Sequence, residues 1–252
     1  MAGSLGKLST IQWVHHWALN TPDAIAIEES GNVHTYHGLA SRVIQCAQFF
    51  ESIGVNRGML VGIECNDRFL HLVLVLAADA LGATSISFYS PELSVENFAL
   101  LQCDFAFLQN APDINGMPGK LYPLTQSLAD EMRRIPVGRL DVLDHTIDGD
   151  FPLRVIRSSG TTGQKKCMPF TMETVRRCVD FSIEYFDLER RNCNFFSPYN
   201  LTLTSDISRC VDNGKTWETT FVRSIRLLWI ERRQSYLAEC RKHSPIWIYI
   251  YY

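Results

Sequence analysis

A loop rich in hydroxyl groups and followed by two lysines is the part of this sequence best suited to chemistry on an anion. It contains, in order, Ser158, Ser159, Gly160, Thr161, Thr162, Gly163, Gln164, Lys165 and Lys166. Glycines allow successive backbone N–H groups to point at one centre, hydroxyls add hydrogen-bond donors, and a lysine adds positive charge. The loop therefore predicts a binding site for a polyphosphate.

Three other readings of the loop fit less well. A Walker-type loop needs four residues between its glycines and a hydroxyl residue after its lysine, but Gly160 and Gly163 are three apart and Cys167 follows Lys166. The dinucleotide fingerprint G-x-G-x-x-G is missing. A flexible linker is the third alternative. The strand-like PLRVIR before the loop, and KCMPF with a helix beginning at Thr171 after it, argue against a linker.

Alternating strand and helix patterns precede the loop. The chain opens with an amphipathic helix capped by Ser9 or Thr10, a hairpin around residues 29–32 and a helix over residues 37–52 that ends at Gly54. Five elements follow: the strand LVGIEC, a helix over residues 67–81, the strand ATSISF, a short helix after Pro91 and the strand FAFLQ. This alternation predicts an α/β protein with a mostly parallel sheet and helices on its faces. Residues 110–150 are expected to form a connection with one helix.

The loop resembles the phosphate loop of the AMP-forming adenylate-forming enzymes, which include acyl- and aryl-CoA synthetases, peptide-synthetase adenylation domains and luciferases. That motif runs Ser/Thr-Ser-Gly-Thr-Thr-Gly-x-Pro-Lys; residues 158–163 match throughout, Lys166 falls on its lysine, and Lys165 replaces its proline. Other segments resemble the superfamily in the same order: HTYHGLASRV, GVNRGMLVGIECND, LVLVLAADALGATSISF, CMPFT and NFFSPYNLT. The resemblance covers residues 10–214.

The resemblance implies the layered parallel-sheet subdomains of the family's N-terminal domain. It also implies a ligase activity in which a carboxylic acid attacks the α-phosphorus of ATP, with Mg²⁺, to give an acyl-adenylate. The ATP-binding residues would be Ser158, Ser159, Gly160, Thr161, Thr162, Gly163 and Lys166. Coenzyme A or a carrier-protein thiol would accept the acyl group. Asn200 stands where many acyl-CoA synthetases have a histidine or aromatic residue, and no aspartate follows it directly, which favours an acyl or aryl acid.

The sequence departs from the family after Gly214. The family's Tyr-Gly-x-Thr-Glu segment, its ribose-binding aspartate and its mobile domain with a catalytic lysine are not found in these 252 residues. Residues 1–214 are interpreted as a partial adenylation domain and residues 215–252 as a divergent tail, expected of a truncated or frame-shifted product. The alternative function is a non-catalytic nucleotide-binding remnant that acts as a regulatory or interaction fragment.

Composition disfavours several other classes of function. A net charge of −3 leaves no basic surplus for nucleic acid. The apolar stretch over residues 69–82 is shorter than the roughly 20 residues of a membrane span and contains Asp79. No metal site is predicted, because the His15/His16 and His34/His37 pairs lack a third ligand nearby. With no leader pattern and no Cys-x-x-Cys pair, a cytoplasmic protein is expected.

We predict that limited proteolysis cuts first between residues 214 and 245. The sequence there matches no element of the family, and the apolar run over residues 245–252 carries no charge and invites association between chains. A fragment ending at Gly214 should give the same circular dichroism signal per residue and the same thermal unfolding midpoint as the whole chain. Loss of folding in that fragment would show that the tail is an integral element.

Overall fold

The computed structural model describes residues 8–29, 32–88, 103–110, 119–157, 167–177, 195–196 and 226–227. Among the sequence predictions, the loop at residues 158–166, the short helix after Pro91 and most of the tail lie outside the described residues. The pairs at residues 195–196 and 226–227 are described by their backbone alone.

Local signals account for the first elements. Helix α1 (Thr10–Asn20) begins after Ser9, whose hydroxyl accepts from the Gln12 backbone N–H while the Gln12 side chain accepts from the Ser9 N–H. This capping box satisfies N–H groups that the first helical turn leaves without a backbone partner. Strands β1 (Ile25–Glu29) and β2 (Asn32–Thr35) form the expected antiparallel hairpin. The predicted helix and hairpin are confirmed.

Helix α2 (Tyr36–Ser52) follows the hairpin directly. The Thr35 side chain accepts from the Gly38 N–H and caps the helix. Gly54 lies just beyond the helix with φ of +99°, a conformation that a residue with a side chain rarely adopts. The sequence therefore ends the helix where it was expected to end.

A six-stranded sheet forms the middle of the fold. Its strands are β3 (Leu60–Glu64), β4 (Thr84–Ser87), β5 (Phe105–Leu108), β6 (Lys120–Pro123), β7 (Pro152–Arg157) and β8 (Cys167–Thr171). They lie in the order β6-β5-β3-β4-β7-β8, and every neighbouring pair is parallel except β7 and β8. The predicted α/β class with a mostly parallel sheet is confirmed.

Helix α3 (Arg68–Ala80) is buried without interruption from His71 to Asp79. Asp67 caps its first turn by accepting from the Leu70 N–H at 2.8 Å, and Gly82 follows its end with φ of +64°. The apolar segment that contains this helix is therefore the core helix that the sequence predicted. No helix in the described ranges is long and apolar enough to cross a membrane.

The connection between β5 and β7 contains more structure than expected. Helix α4 (Gln126–Arg134) is the one helix predicted there, and a short 3₁₀ helix (Leu140–Leu143) follows it. Strand β6 was not predicted, because a four-residue strand next to Gly119 and ending in Pro123 has too few residues to show an alternating pattern. Two further residue pairs, β9 (Phe195–Phe196) and β10 (Arg226–Leu227), pair antiparallel.

A buried ion pair joins α3 to β7. Asp79 is 0% exposed and Arg154 is 3% exposed. The Arg154 guanidinium donates from Nη1 to Asp79 Oδ1 and from Nη2 to Oδ2, the latter at 2.7 Å. The Thr10 hydroxyl donates to the same Oδ2 at 2.7 Å and brings α1 into the contact. The charge that α3 carries into the core is thus compensated by a side chain from the sheet.

We predict that removing one partner of this pair destabilises the protein strongly. Asp79→Leu or Arg154→Met should each lower the free energy of unfolding by about 3–5 kcal/mol, because each leaves an uncompensated buried charge. The double variant should regain most of that loss. Urea unfolding of the four proteins gives the coupling energy. Losses that simply add in the double variant would show that the two charges do not interact.

Candidate functional site

The predicted phosphate loop connects the hairpin strands β7 and β8. It follows Arg157 at the carboxyl end of β7 and ends before Cys167, the first residue of β8. Its predicted ligand-binding residues, Ser158, Ser159, Gly160, Thr161, Thr162, Gly163 and Lys166, lie outside the described residues. After β8, Thr171 accepts from the Thr174 N–H at 3.2 Å and caps a helical segment over residues 172–177, which confirms the predicted cap.

The loop leaves the sheet at the edge where open α/β sheets bind ligands. The chain runs from β3 to β4 in one direction and then returns across β3 to β5. Ligands of such sheets bind at the carboxyl ends of the strands near such a reversal. Strand β7 is parallel to β4 and lies beside it, so the loop begins at the same edge of the sheet, with β4 between it and the reversal at β3 and β5.

A histidine and a serine contact each other at this edge. His71 Nε2 lies 2.8 Å from the Ser87 hydroxyl, and Nδ1 lies 3.3 Å from the Cys65 carbonyl oxygen. Because a carbonyl can only accept, Nδ1 carries the proton and Nε2 accepts from Ser87. Burial lowers the pKa of His71 from its usual 6.5 to about 4, so the ring is neutral near pH 7.

This Ser–His contact differs from a catalytic pair. In a hydrolytic triad a carboxylate stabilises the positively charged ring, whereas here a backbone carbonyl takes that place. A ring with its pKa lowered by burial is also a weak base at neutral pH. The contact satisfies two polar groups and fixes the carboxyl end of β4 against α3.

A second polar contact fixes the carboxyl ends of β3 and β5. Glu64 is 1% exposed, and its two carboxylate oxygens accept from the backbone N–H and the side-chain amide of Asn110, both at 2.8 Å. The Asn66 N–H donates to the Gln109 side chain at 2.7 Å. The turns that follow these strands are therefore fixed by side chains as well as by strand pairing.

Sequence reasoning did not select His71, Ser87 or Glu64 as site residues. The available signals were a histidine in the apolar segment over residues 69–82 and serines in the predicted strand ATSISF. Of the histidine pairs considered in the sequence, the structure places the His34 ring in a stack on Phe69, with ring centroids 3.6 Å apart. In the described ranges, no group of three histidine, cysteine, aspartate or glutamate side chains is placed to bind a metal ion.

Comparisons with known proteins show which proteins the chain is similar to. No protein-family model matches the chain. A hybrid PKS-NRPS synthetase, LUC5 of Fusarium sp, is 25% identical over 179 residues. The described architecture is similar to ATP-bound MatB from Rhodopseudomonas palustris, with 16% identity and a TM-score of 0.59. It is also similar to the O-succinylbenzoate coenzyme A synthetase MenE of Bacillus subtilis in complex with AMP, with 17% identity and a TM-score of 0.63.

These matches confirm the expected resemblance. The chain has the fold of the N-terminal part of adenylate-forming enzymes. The matches cover 69% of the chain for the synthetase, 71% for MatB and 79% for MenE. In the other direction the chain spans 4% of the synthetase, 38% of MatB and 52% of MenE, so it corresponds to one part of each.

We predict that neutral, buried His71 makes stability fall as the pH falls from about 6.5 to about 4. In that range the unfolded chain binds a proton at His71 and the folded chain does not, so protonation favours unfolding, by roughly 3 kcal/mol at the lower limit. Urea unfolding at several pH values should therefore show a steeper pH dependence for the wild type than for His71→Gln. Burial also lowers the pKa of His34, but His34 is present in both proteins. Equal pH dependence would contradict the prediction.

Proposed function

We propose that the chain binds ATP through the loop at residues 158–166, as part of an enzyme that activates a carboxylic acid. In this reaction a carboxylate oxygen bonds to the α-phosphorus of ATP, the bond to the next phosphate breaks, and pyrophosphate leaves. The product is an acyl-adenylate. The observation that carries the proposal is the phosphate-loop sequence at the carboxyl end of β7, in a chain with the adenylate-forming fold.

Each part of the loop has a proposed role toward ATP. The hydroxyls of Ser158, Thr161 and Thr162 would donate to phosphate oxygens, and Lys166 would compensate their charge. Gly160 and Gly163 would let the backbone N–H groups approach the phosphates. The comparison with MatB and MenE supports a nucleotide ligand, because those structures contain ATP and AMP.

The described residues do not form a magnesium site of their own. No group of three potential ligands lies together in the described ranges, and the buried carboxylate of Glu64 already accepts from Asn110. We propose that the loop's own donors and Lys166 compensate the phosphate charge from the protein side, and that Mg²⁺, expected from the family resemblance, would supply further positive charge.

The identity of the carboxylic acid and of the acyl acceptor is proposed from the family resemblance and from the similar proteins. We propose an acyl or aryl acid, with a thiol of coenzyme A or of a carrier protein as acceptor. The curated relative is a hybrid PKS-NRPS synthetase, and a fused adenylation and PCP di-domain from Klebsiella oxytoca has the same fold. Both support a carrier-protein thiol; MenE, a coenzyme A synthetase, supports the other acceptor.

We predict that Lys166→Ala weakens ATP binding roughly tenfold or more, because it removes a charged hydrogen bond to phosphate. Lys165→Ala, its neighbour and matched control, should change the dissociation constant only about twofold, because an exposed charge outside direct contact contributes little. Isothermal titration calorimetry of the wild type and both variants with ATP tests the difference. Equal effects would show that the assignment of Lys166 to the family lysine is wrong.

A further inference from the structure

The ion pair between Asp79 and Arg154 connects helix α3 to the strand that leads into the loop. We infer that Asp79 and Arg154 are positioning residues for the loop: their contact fixes β7, and through β7 the direction in which the loop leaves the sheet. Arg154 precedes Ser158 by four residues. The inference rests on the proposed function, because it concerns the placement of an ATP-binding loop.

The geometry of the pair restricts orientation as well as distance. Both terminal nitrogens of Arg154 contact the Asp79 carboxylate, and Nη1 also donates to the Leu153 carbonyl at 2.7 Å. The Thr10 hydroxyl donates a further hydrogen bond to the same carboxylate. A planar guanidinium bound at two nitrogens can neither rotate nor slide without losing a hydrogen bond. Strand β7 is therefore fixed in position relative to α3.

At the loop end of β7, the pairing with β4 is short. The start of β7 is fixed where the Thr84 hydroxyl donates to the Pro152 carbonyl at 2.7 Å. Toward the loop, the paired residues of β4 and β7 extend only to Val155, while residues 156–157 pair with β8. The first three residues of β8 are exposed. The hairpin thus extends beyond its support by β4, and Arg154 lies next to the point where that support ends.

Stability alone does not explain why the buried positions 79 and 154 carry charged side chains. The cost of removing two ions from water offsets much of their attraction, and apolar residues of similar size often support a core equally well. Apolar residues lack the directional contact at two nitrogens. An apolar replacement of both partners therefore separates a stabilising role from a positioning role.

The test compares Asp79→Leu/Arg154→Met with Arg139→Met/Asp141→Leu. The control also removes a two-nitrogen Arg–Asp contact, but at the exposed surface. The first double variant should keep an unfolding midpoint close to that of the wild type. Hydrogen exchange at residues 155–157 and 167–168 should become about tenfold faster, and ATP should bind about tenfold more weakly. The control should match the wild type in all three measurements.

Two further proteins make every outcome informative. Arg154→Lys keeps the charge without the two-nitrogen contact, so it should fold and show a smaller change in the same direction; it decides the question if the double variant does not fold. The inference would be overturned if a folded Asp79→Leu/Arg154→Met or Arg154→Lys protein showed the same hydrogen-exchange rates and the same ATP affinity as the wild type. If the wild type binds ATP no better than Lys166→Ala, the proposed function fails, and hydrogen exchange alone decides the positioning role.

Discussion

A helix that is buried along its length needs a core partner for every polar side chain it carries. Helix α3 carries two such side chains, His71 and Asp79, about two turns apart. Their partners lie on neighbouring strands of the sheet: Ser87 ends β4, and Arg154 is in β7. The hydrogen bonds that satisfy these two side chains therefore fix α3 against both strands. The positions of the carboxyl ends of β4 and β7 depend on these contacts.

Local signals were sufficient to predict most of the elements. The capping residues Ser9 and Asp67, and the glycines at positions 54 and 82, fix where helices begin and end through contacts within a few residues. Apolar runs separated by such signals predict buried parallel strands without knowledge of their partners. The α/β class and the family resemblance follow because both depend on the order of segments along the chain.

The contacts that assemble the site could not be predicted in the same way. Asp79 and Arg154 are 75 residues apart, and nothing near either residue indicates the other. In the strand PLRVIR, an arginine between apolar residues is typical of an alternating, half-exposed strand, whereas Arg154 is buried. The contact of His71 with Ser87 likewise depends on the pairing of β3 with β4, which brings the end of β4 beside α3. The sequence predicts the kind of ligand that suits the loop, whereas long-range packing decides where the loop begins.

The composition of β4 follows from the same arrangement. A strand inside a parallel sheet is usually a continuous apolar run, but β4 reads Thr-Ser-Ile-Ser. Alternate residues face the same side, so Ser85 faces α3 as Ser87 does, and it is the register partner of Arg154. A small side chain at position 85 leaves room beside it for the long arginine that reaches Asp79. Two of the polar contacts that α3 makes are therefore pairs, His71 with Ser87 and Asp79 with Arg154: an apolar change at one member leaves the other buried without the partner that makes its burial tolerable.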